Sequence, residues 1–136
     1  MANKPERIVI DTNVFISFLI SDSFSKLDKH FQANKIRLLF SNELLGEFLE
    51  VIARPKLKKY FSDNDIIKLL DSIQNHADFI NITTTVNACR DPKDNFLLAL
   101  ALNGKADYLI TGDEDLLVMK KFKKTTIIKI ADFLRK

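Results

Sequence analysis

Short apolar runs alternate with longer amphipathic stretches along the whole chain. The β-branched run Ile8-Val9-Ile10 stops abruptly at Asp11, as a buried parallel strand does. Further strands are predicted at 36–40, 79–83, 108–111 and 126–128, and helices at 14–20, 42–53, 64–76, 114–121 and 131–135. Strands and helices in alternation form βαβ units, so the pattern predicts an α/β fold with a largely parallel sheet that helices cover on both faces.

Capping residues mark the beginning of two predicted helices. Ser41 is a favourable N-cap for the helix at 42–53. Asp91 followed by Pro92 is the expected start of a further helix, and Gly104 is expected to end that helix.

The composition is that of one ordinary globular domain spanning residues 1–136. With 21 basic and 18 acidic residues, the net charge is +3. This charge allows a nucleic-acid partner but is far below that of a packaging protein. Three glycines occur, and their spacing rules out the glycine-rich loops that cradle phosphates in mononucleotide-binding and dinucleotide-binding folds.

The single cysteine, Cys89, cannot form an internal disulfide, which fits a reducing compartment. A cysteine nucleophile would need a nearby histidine, but His30 and His76 lie in predicted helical stretches, at surface or boundary positions. One cysteine and two histidines also fall short of four zinc ligands. No apolar run approaches the roughly 18 residues of a membrane span and no secretory signal is visible, so we expect a soluble cytoplasmic protein without a membrane partner.

Acidic residues follow the predicted strands at the positions where ligands bind in open parallel sheets. Asp11 follows the first strand, and Asp113 and Asp115 follow the strand at 108–111. Asp91 and Asp94 open the helix before that strand. Clustered carboxylates repel one another unless they are protonated or bridged by cations, so the pattern predicts an oxygen-ligated site for Mg²⁺ or Mn²⁺.

Four of these aspartates also have a purely structural interpretation. Asp91 precedes Pro92 and is more simply a helix cap. Asp94 falls at the third helical position, where a capping box competes with a role in the site. Asp113 could cap the next helix, and Asp115 would then lie in its first turn, where acids are favoured.

Asp11 is expected to differ from the other aspartates. Thr12 and Asn13 could cap the first helix without it, so no turn chemistry accounts for a carboxylate at this position. A carboxylate at the end of an apolar run is costly unless it is used, which favours a functional role.

The helix at 42–53 carries three acids, and its periodicity separates them. At about 100° per residue its apolar residues define one face, and Glu43 and Glu50 point away from that face toward solvent. Glu47 lies at the edge of the apolar face, beside Val51. It is the acid of this helix that is placed to face inward, with a position on the helix flank as the alternative.

Eight of the 21 basic residues fall into two groups. The groups are Arg54, Lys56, Lys58 and Lys59, and then Lys120, Lys121, Lys123 and Lys124 around Phe122. Such runs are usually solvated faces, but beside an acidic metal site they would hold the backbone of a polyanion.

Four motifs, in their order along the chain, resemble the PIN domain. They are Ile8-Val9-Ile10-Asp11-Thr12-Asn13-Val14, Glu47 within Asn42-Glu43-Leu44-Leu45-Gly46-Glu47-Phe48, Asp91-Pro92-Lys93-Asp94-Asn95, and Tyr108-Leu109-Ile110-Thr111-Gly112-Asp113-Glu114-Asp115. Each motif is weak by itself, but four in order on an alternating α/β chain are specific. The resemblance covers nearly the whole chain and is closest to the small stand-alone bacterial and archaeal PIN proteins, the VapC-like toxins of toxin–antitoxin pairs.

The resemblance implies a three-layer α/β/α fold with a mostly parallel central sheet of about five strands. It also implies a ribonuclease that depends on Mg²⁺ or Mn²⁺, in which a metal-activated water cleaves the phosphodiester and leaves 5′-phosphate and 3′-hydroxyl ends. The catalytic and metal-binding acids would be Asp11, Glu47, Asp94 and Asp113. Asp115 would be an auxiliary metal ligand, and Asn13 and Thr111 would be polar neighbours.

The implied partners are an RNA substrate, an antitoxin where one is encoded, and a second copy of the chain. Eleven phenylalanines are a heavy aromatic load for a domain of this size. Phe24, Phe31, Phe61 and Phe122 stand in polar surroundings, and exposed apolar patches usually mark contacts. We therefore expect a homodimer, with packing of these rings under the long helices as the alternative.

Two other functions compete with a nuclease. A phosphoacceptor receiver domain would need an acidic pair after the first strand, where this chain has Thr12 and Asn13, and an aspartate near Glu47 after a middle strand. A non-catalytic RNA-binding or scaffolding PIN domain is the nearer alternative, because a fold does not guarantee an activity. The presence of every expected carboxylate counts against it.

Overall fold

The computed structural model describes residues 4–21 and 35–135. The strands are β1 (Glu6–Ile10), β2 (Ile36–Phe40), β3 (Ala77–Phe79), β4 (Tyr108–Ile110), β5 (Lys121–Phe122) and β6 (Thr125–Ile128). The helices are α1 (Thr12–Ile20), α2 (Asn42–Ile52), α3 (Asp63–His76), α4 (Pro92–Gly104), α5 (Glu114–Leu117) and α6 (Ile130–Leu134), with a 3₁₀ turn at Pro55–Leu57. The predictions for Phe24, His30 and Phe31 lie outside the described residues.

The strands form a sheet in the order β3-β2-β1-β4-β6-β5. Neighbouring strands are parallel except for β5 and β6, which are antiparallel. The chain moves outward from β1 to β3 and then crosses back to place β4 on the other side of β1. The strand order therefore reverses beside β1, and the carboxyl ends of β1 and β4 meet at the edge where open α/β sheets bind ligands.

Helices cover both faces of the sheet, as the alternating pattern predicts. Ile8 and Val9 are successive residues of β1, so their side chains point to opposite faces, and both are fully buried. On one face α1 packs against α2, and the rings of Phe15 and Phe48 stack with centroids 5.2 Å apart. Helix α4 packs on β1, β2 and β4. The three-layer α/β/α prediction is confirmed.

The third strand lies earlier in the chain than the pattern predicts, at Ala77–Phe79 and not at 79–83. A last ladder bond joins Ile80 N to Phe40 O at 2.7 Å, and the chain then leaves the sheet. Beyond that point the backbone bonds to a side chain and not to a strand, because Asn103 Oδ1 accepts a hydrogen bond from Thr83 N at 2.9 Å. The apolar alternation at 79–83 therefore marks packing against the core and not a ladder.

A short sixth strand, β5, lies where the second half of a helix at 114–121 is predicted. That prediction is wrong beyond Leu117, because the chain turns and pairs antiparallel with β6 at the edge of the sheet. Lys120 and Lys123 flank β5 with φ of 62° and 54°, in the left-handed region where glycine is preferred. Because lysine does not indicate a left-handed turn in a sequence, the hairpin could not be predicted.

Gly104 belongs to α4, and its role differs from the predicted helix stop. The left-handed residue that ends the helix is Lys105, with φ of 55°. A Cβ on Gly104 would lie 2.8 Å from Leu39 Cδ1 and 3.2 Å from Ile80 Cγ1. The glycine therefore allows α4 to approach the sheet closely.

Phenylalanine side chains mostly pack inward. Phe15, Phe18 and Phe61 are buried, and Phe122 is partly buried. The large apolar side chains that are exposed within the described residues are Tyr60, Ile67, Phe79 and Val118. Across residues 4–21 and 35–135 no helix has both the length and the apolar character needed to cross a membrane.

Candidate metal centre

Acidic side chains surround a cavity of about 200 Å³ at the carboxyl ends of β1 and β4. The polar residues that line this acidic cavity are Asp11, Thr12, Asn13, Glu47, Asp91, Lys93, Asp94 and Asp113. The structure thus brings the four predicted catalytic acids together from four separate segments of the chain. Asp115 stands beside the acidic cavity and does not line it.

Asp11 is the N-cap of α1, which corrects the expectation that Thr12 and Asn13 cap this helix without it. Its Oδ1 accepts a hydrogen bond from Asn13 N at 3.2 Å, and its Oδ2 accepts one from Thr111 Oγ1 at 3.0 Å. An aspartate that follows a strand directly already has the extended backbone of an N-cap. Each carboxylate oxygen keeps a further lone pair, so capping leaves Asp11 free to bind a cation as well.

Asp91 and Asp113 are also N-caps, as their structural interpretation predicts. Asp91 Oδ1 accepts from Lys93 N at 2.9 Å, and Asp113 Oδ1 accepts from Asp115 N at 2.8 Å. Thr111 connects two of the acids, because its Oγ1 donates to Asp11 and accepts from Asp113 N at 3.1 Å. The turns that begin the helices therefore fix the direction of these carboxylates before any ligand binds.

Asp94 is the buried acid of the site, with 4% of its surface exposed. Within the described residues its Oδ2 has no hydrogen-bond partner, and neither has the buried Oγ1 of Thr12 on the wall of the same cavity. Burial raises the pKa of Asp94 to about 6, and the negative charge of Asp113 and a hydrogen bond to Asp113 that only the protonated form of Asp94 can donate act in the same direction. A buried oxygen without a partner costs about 1–3 kcal/mol, which indicates that this part of the cavity suits an additional ligand.

Glu47 faces the acidic cavity from α2, as its position at the edge of the apolar face predicts. Its side chain is 28% exposed, compared with 67% for Glu50 on the outer side of the helix. Its Oε1 lies 3.0 Å from the Nζ of Lys93. The hydrogen bond with Glu47 is the main cause of a raised pKa at Lys93.

Asp115 is held beside the site by Arg90. Both carboxylate oxygens accept hydrogen bonds from the Arg90 guanidinium, at 3.1 and 3.2 Å. Carboxylate oxygens of Asp94, Asp113 and Asp115 nevertheless lie within 4.8 Å of one another. An auxiliary role for Asp115 is therefore compatible with the geometry, in competition with its ion pair.

Three residues of the two basic groups, Arg54, Lys123 and Lys124, lie away from the edge formed by the carboxyl ends of the parallel strands. Helix α2 begins at that edge and is 11 residues long, so Arg54 lies about 16 Å further along its axis. Lys123 and Lys124 form the turn that precedes β6, at the amino ends of the parallel strands, and Lys124 lines a groove there with Lys4. The basic margin expected beside the site is absent at these positions.

Sequence reasoning missed two polar residues of the acidic cavity, Lys93 and Thr12. Lys93 lies in a motif whose interpretation depends on its aspartates. Its ion pair with Glu47 joins two helices that are distant in the chain, so the sequence does not indicate it. Thr12 follows Asp11 directly, and its burial depends on the packing of α1 against the sheet. A basic residue between two site aspartates is the one signal that could have identified Lys93.

The side chains present fit a hard divalent cation. Carboxylate oxygens are the ligands that Mg²⁺ and Mn²⁺ prefer, and five acids line the acidic cavity. Burial, and after it the charge of Asp113, makes ionisation of Asp94 costly, and a cation would both offset that cost and provide a partner for Oδ2.

Comparison with known proteins identifies the class of this chain. The model of the PIN domain family matches residues 7–115, and the chain belongs to that family, whose members are typically nucleases. An uncharacterized protein of Methanocaldococcus jannaschii, MJ1680, is 38% identical over 122 residues, which cover 87% of this chain and 77% of that protein.

A similar fold occurs in a solved structure. It is the crystal structure of VapBC2 from Rickettsia felis bound to a DNA fragment from their promoter, with a TM-score of 0.55 and 11% sequence identity. The match covers 89% of this chain and 96% of that one. At this level of identity the likeness concerns the fold.

Proposed function

We propose that the protein is a ribonuclease that depends on Mg²⁺ or Mn²⁺ and cleaves phosphodiester bonds in RNA. The observation that carries this proposal is the buried Asp94, whose Oδ2 has no partner within the described residues, in a cavity lined by Asp11, Glu47 and Asp113. These four acids would be the catalytic and metal-binding residues, with Asp115 as an auxiliary ligand. Membership of the PIN domain family supports the assignment.

The chain's own residues would perform three tasks in this reaction. Asp94 and Asp113 would hold the cation, and the capping hydrogen bonds would keep Asp11 and Asp113 in position. Glu47 would complete the acidic edge from α2. Bound there, a divalent cation lowers the pKa of water and stabilises the leaving oxygen, so no histidine or lysine base is required.

The test is a cleavage assay on single-stranded RNA with and without divalent cations. We expect cleavage in Mn²⁺ or Mg²⁺, none in EDTA, and products with 5′-phosphate ends. Replacement of Asp94 by Asn should abolish cleavage and weaken Mn²⁺ binding in calorimetry. RNA binding without cleavage in Mn²⁺ would instead favour a non-catalytic PIN-fold protein.

We further propose that the protein is the toxin of a toxin–antitoxin pair and acts in the cytoplasm, where RNA and a protein inhibitor would both be found. The likeness of its fold to a chain of VapBC2 supports this proposal. Expression of the wild-type chain should arrest growth, and co-expression of a small protein encoded beside it should restore growth. Growth that is unaffected by the wild-type chain would contradict the toxin role while leaving the nuclease proposal in place.

A further inference from the structure

Lys93 is the basic side chain that lines the acidic cavity, within the part of the chain that the structure describes. Its Nζ lies 3.0 Å from Glu47 Oε1, and its side chain is 61% exposed. The charges of Asp11 and Asp91 also act on it. The ammonium group is thus paired with Glu47 and attracted by acids of two further segments.

This ion pair conflicts with the proposed use of Glu47. A carboxylate that pairs with an ammonium group has less negative charge to offer a divalent cation, so Lys93 and the metal compete for it. A half-exposed ion pair of this kind is weak, at most about 1 kcal/mol, because solvent screens it. A divalent cation with several carboxylate ligands therefore displaces the lysine readily.

The same cavity repels the substrate that the proposed function requires. Five acids line it, and none of the eight residues of the two basic groups is among its lining residues. A phosphate that approaches the site meets Lys93 on the wall of the cavity, whereas the neighbouring cation, Arg90, is paired with Asp115 outside the cavity. The flexible four-carbon stem of Lys93 lets the ammonium group move from Glu47 to a neighbouring anion without any change in the backbone.

We propose that Lys93 is a displaceable counter-ion, which neutralises Glu47 until a divalent cation takes that carboxylate and then contacts a phosphate of the RNA substrate. This inference rests on the proposed metal-dependent ribonuclease function. It makes Lys93 a substrate-binding residue whose position depends on the metal.

The first test measures Mn²⁺ binding by calorimetry in the absence of RNA. Lys93→Gln should bind Mn²⁺ roughly two- to fivefold more tightly than the wild type, because the competing cation is gone. The difference should shrink at about 0.5 M salt, since screening weakens the ion pair. Lys68→Gln, which removes the same charge from an exposed position on α3, is the matched control and should bind Mn²⁺ as the wild type does.

The second test measures cleavage of a single-stranded oligoribonucleotide at saturating Mn²⁺. Lys93→Gln should raise KM roughly threefold or more with a smaller change in kcat, and Lys93→Arg should keep KM near the wild-type value. For Lys93→Gln the two tests should therefore give opposite results, with tighter binding of Mn²⁺ and weaker binding of the RNA substrate. A residue that merely supports the start of α4 would weaken both.

The outcomes separate this inference from the proposed function. A wild-type protein that neither binds Mn²⁺ nor cleaves RNA overturns both proposals. A wild-type protein that does both, with Lys93→Gln unchanged in Mn²⁺ affinity or in KM, overturns the role of Lys93 alone.

Discussion

Three aspartates of the acidic cavity are helix caps, and two of them, Asp11 and Asp113, are also proposed metal ligands. Asp11, Asp91 and Asp113 cap the helices that begin at the carboxylate edge, and each uses one oxygen to accept a backbone N–H. The hydrogen bonds fix the direction of the carboxyl group, so the site is organised by the local turns of the chain. A substitution at these positions must therefore be chosen so that the cap survives.

Asp11→Asn tests the proposed metal site with little disturbance of the fold. Asparagine caps a helix about as well as aspartate, so α1 should remain intact while one negative charge is lost. We expect cleavage to fall by at least about 100-fold, because a cation at the site loses a charged ligand. In EDTA the thermal midpoint should be equal to that of the wild type or higher, because repulsion among the acids is reduced.

Glu43→Gln is the control for this experiment, because Glu43 lies on the exposed side of α2. Its activity and thermal midpoint should match the wild type. Normal cleavage by Asp11→Asn would exclude the proposed site.

The raised pKa of Asp94 predicts how the stability of the metal-free protein depends on pH. Its carboxyl group has a pKa of about 6 in the folded protein, above the ordinary value of 3.8, so the folded state holds the proton more tightly than the unfolded state. The contribution of Asp94 to the free energy of unfolding is therefore greatest below pH 4 and is lost as the pH rises through about 6. Above that pH, Asp94→Asn should be more stable than the wild type by roughly 1–3 kcal/mol.

Urea denaturation in EDTA between pH 4 and 7.5 measures this difference, because subtraction of the two proteins cancels the other titrating groups. Saturating Mn²⁺ should remove the advantage of the variant at pH 7, since the cation stabilises only the wild-type carboxylate. A difference in stability that is the same at every pH would contradict the assignment.

At the scale of the helices and strands, the sequence predicts elements with strong local signals. Strand β2 has the predicted bounds, and α4 begins at Pro92 with its aspartate cap. The predictions are wrong where tertiary contacts determine the conformation of the chain. The end of β3 depends on Asn103 capturing the next segment, and β5 exists because the turn lysines adopt left-handed backbone to reach β6.

Two helical glycines should respond oppositely to the same substitution. A Cβ on Gly46, in the middle of α2, meets nothing within 4 Å, whereas on Gly104 it would meet Leu39 Cδ1 at 2.8 Å. Gly46→Ala should raise the free energy of unfolding by about 0.5–1 kcal/mol through helix propensity. Gly104→Ala should lower it by about 1–2 kcal/mol through overpacking. Urea denaturation measures both variants, and shifts in the same direction would contradict the packing of α4 on β2.

At the scale of the whole molecule, the order of the motifs allows the acidic edge to be predicted. Asp11 and Asp113 follow parallel strands, and Asp94 lies at the start of the helix that runs back to the beginning of β4, so all three are expected at the edge where parallel strands end. Lys93 could not be predicted in the same way, because its partner Glu47 is chosen by the packing of two helices. The positions of the basic groups could not be predicted either. Closeness to an acid along the sequence does not determine at which end of the sheet a turn lies.

The turn before β6 should not take part in RNA binding. Lys123 and Lys124 lie at the amino ends of the strands, opposite the acidic cavity, so their joint replacement by alanine should leave KM unchanged. The slope of log affinity against log salt should also be unchanged, whereas each lost phosphate contact would reduce it by about 0.7. Filter binding across a salt series measures this, and a flatter slope would mean that RNA reaches around the edge of the sheet.

The homodimer remains a prediction, and the structure changes its basis. Phe15, Phe18 and Phe61 are buried within the chain, so these rings do not need a second copy to cover them. Exposed apolar side chains are found at separate places, such as Ile67 on α3 and Val118 after α5, and a second copy would cover one of them. Sedimentation equilibrium should give twice the monomer mass of 15.6 kDa, and a mass that stays at the monomer value across a wide concentration range would refute the dimer.

The pairing of β1 with β4 determines when the site can exist during synthesis of the chain. Asp11 N donates to Ile110 O at 2.9 Å, and the bond between Asp11 and Thr111 joins residues 100 positions apart. A nascent chain that ends within α4 already carries Asp11, Glu47 and Asp94, but it lacks the strand that brings Asp113 to them. Because domains generally fold as units, the proposed nuclease would be inactive while most of it is still being translated, and a prematurely terminated copy would leave the surrounding RNA intact.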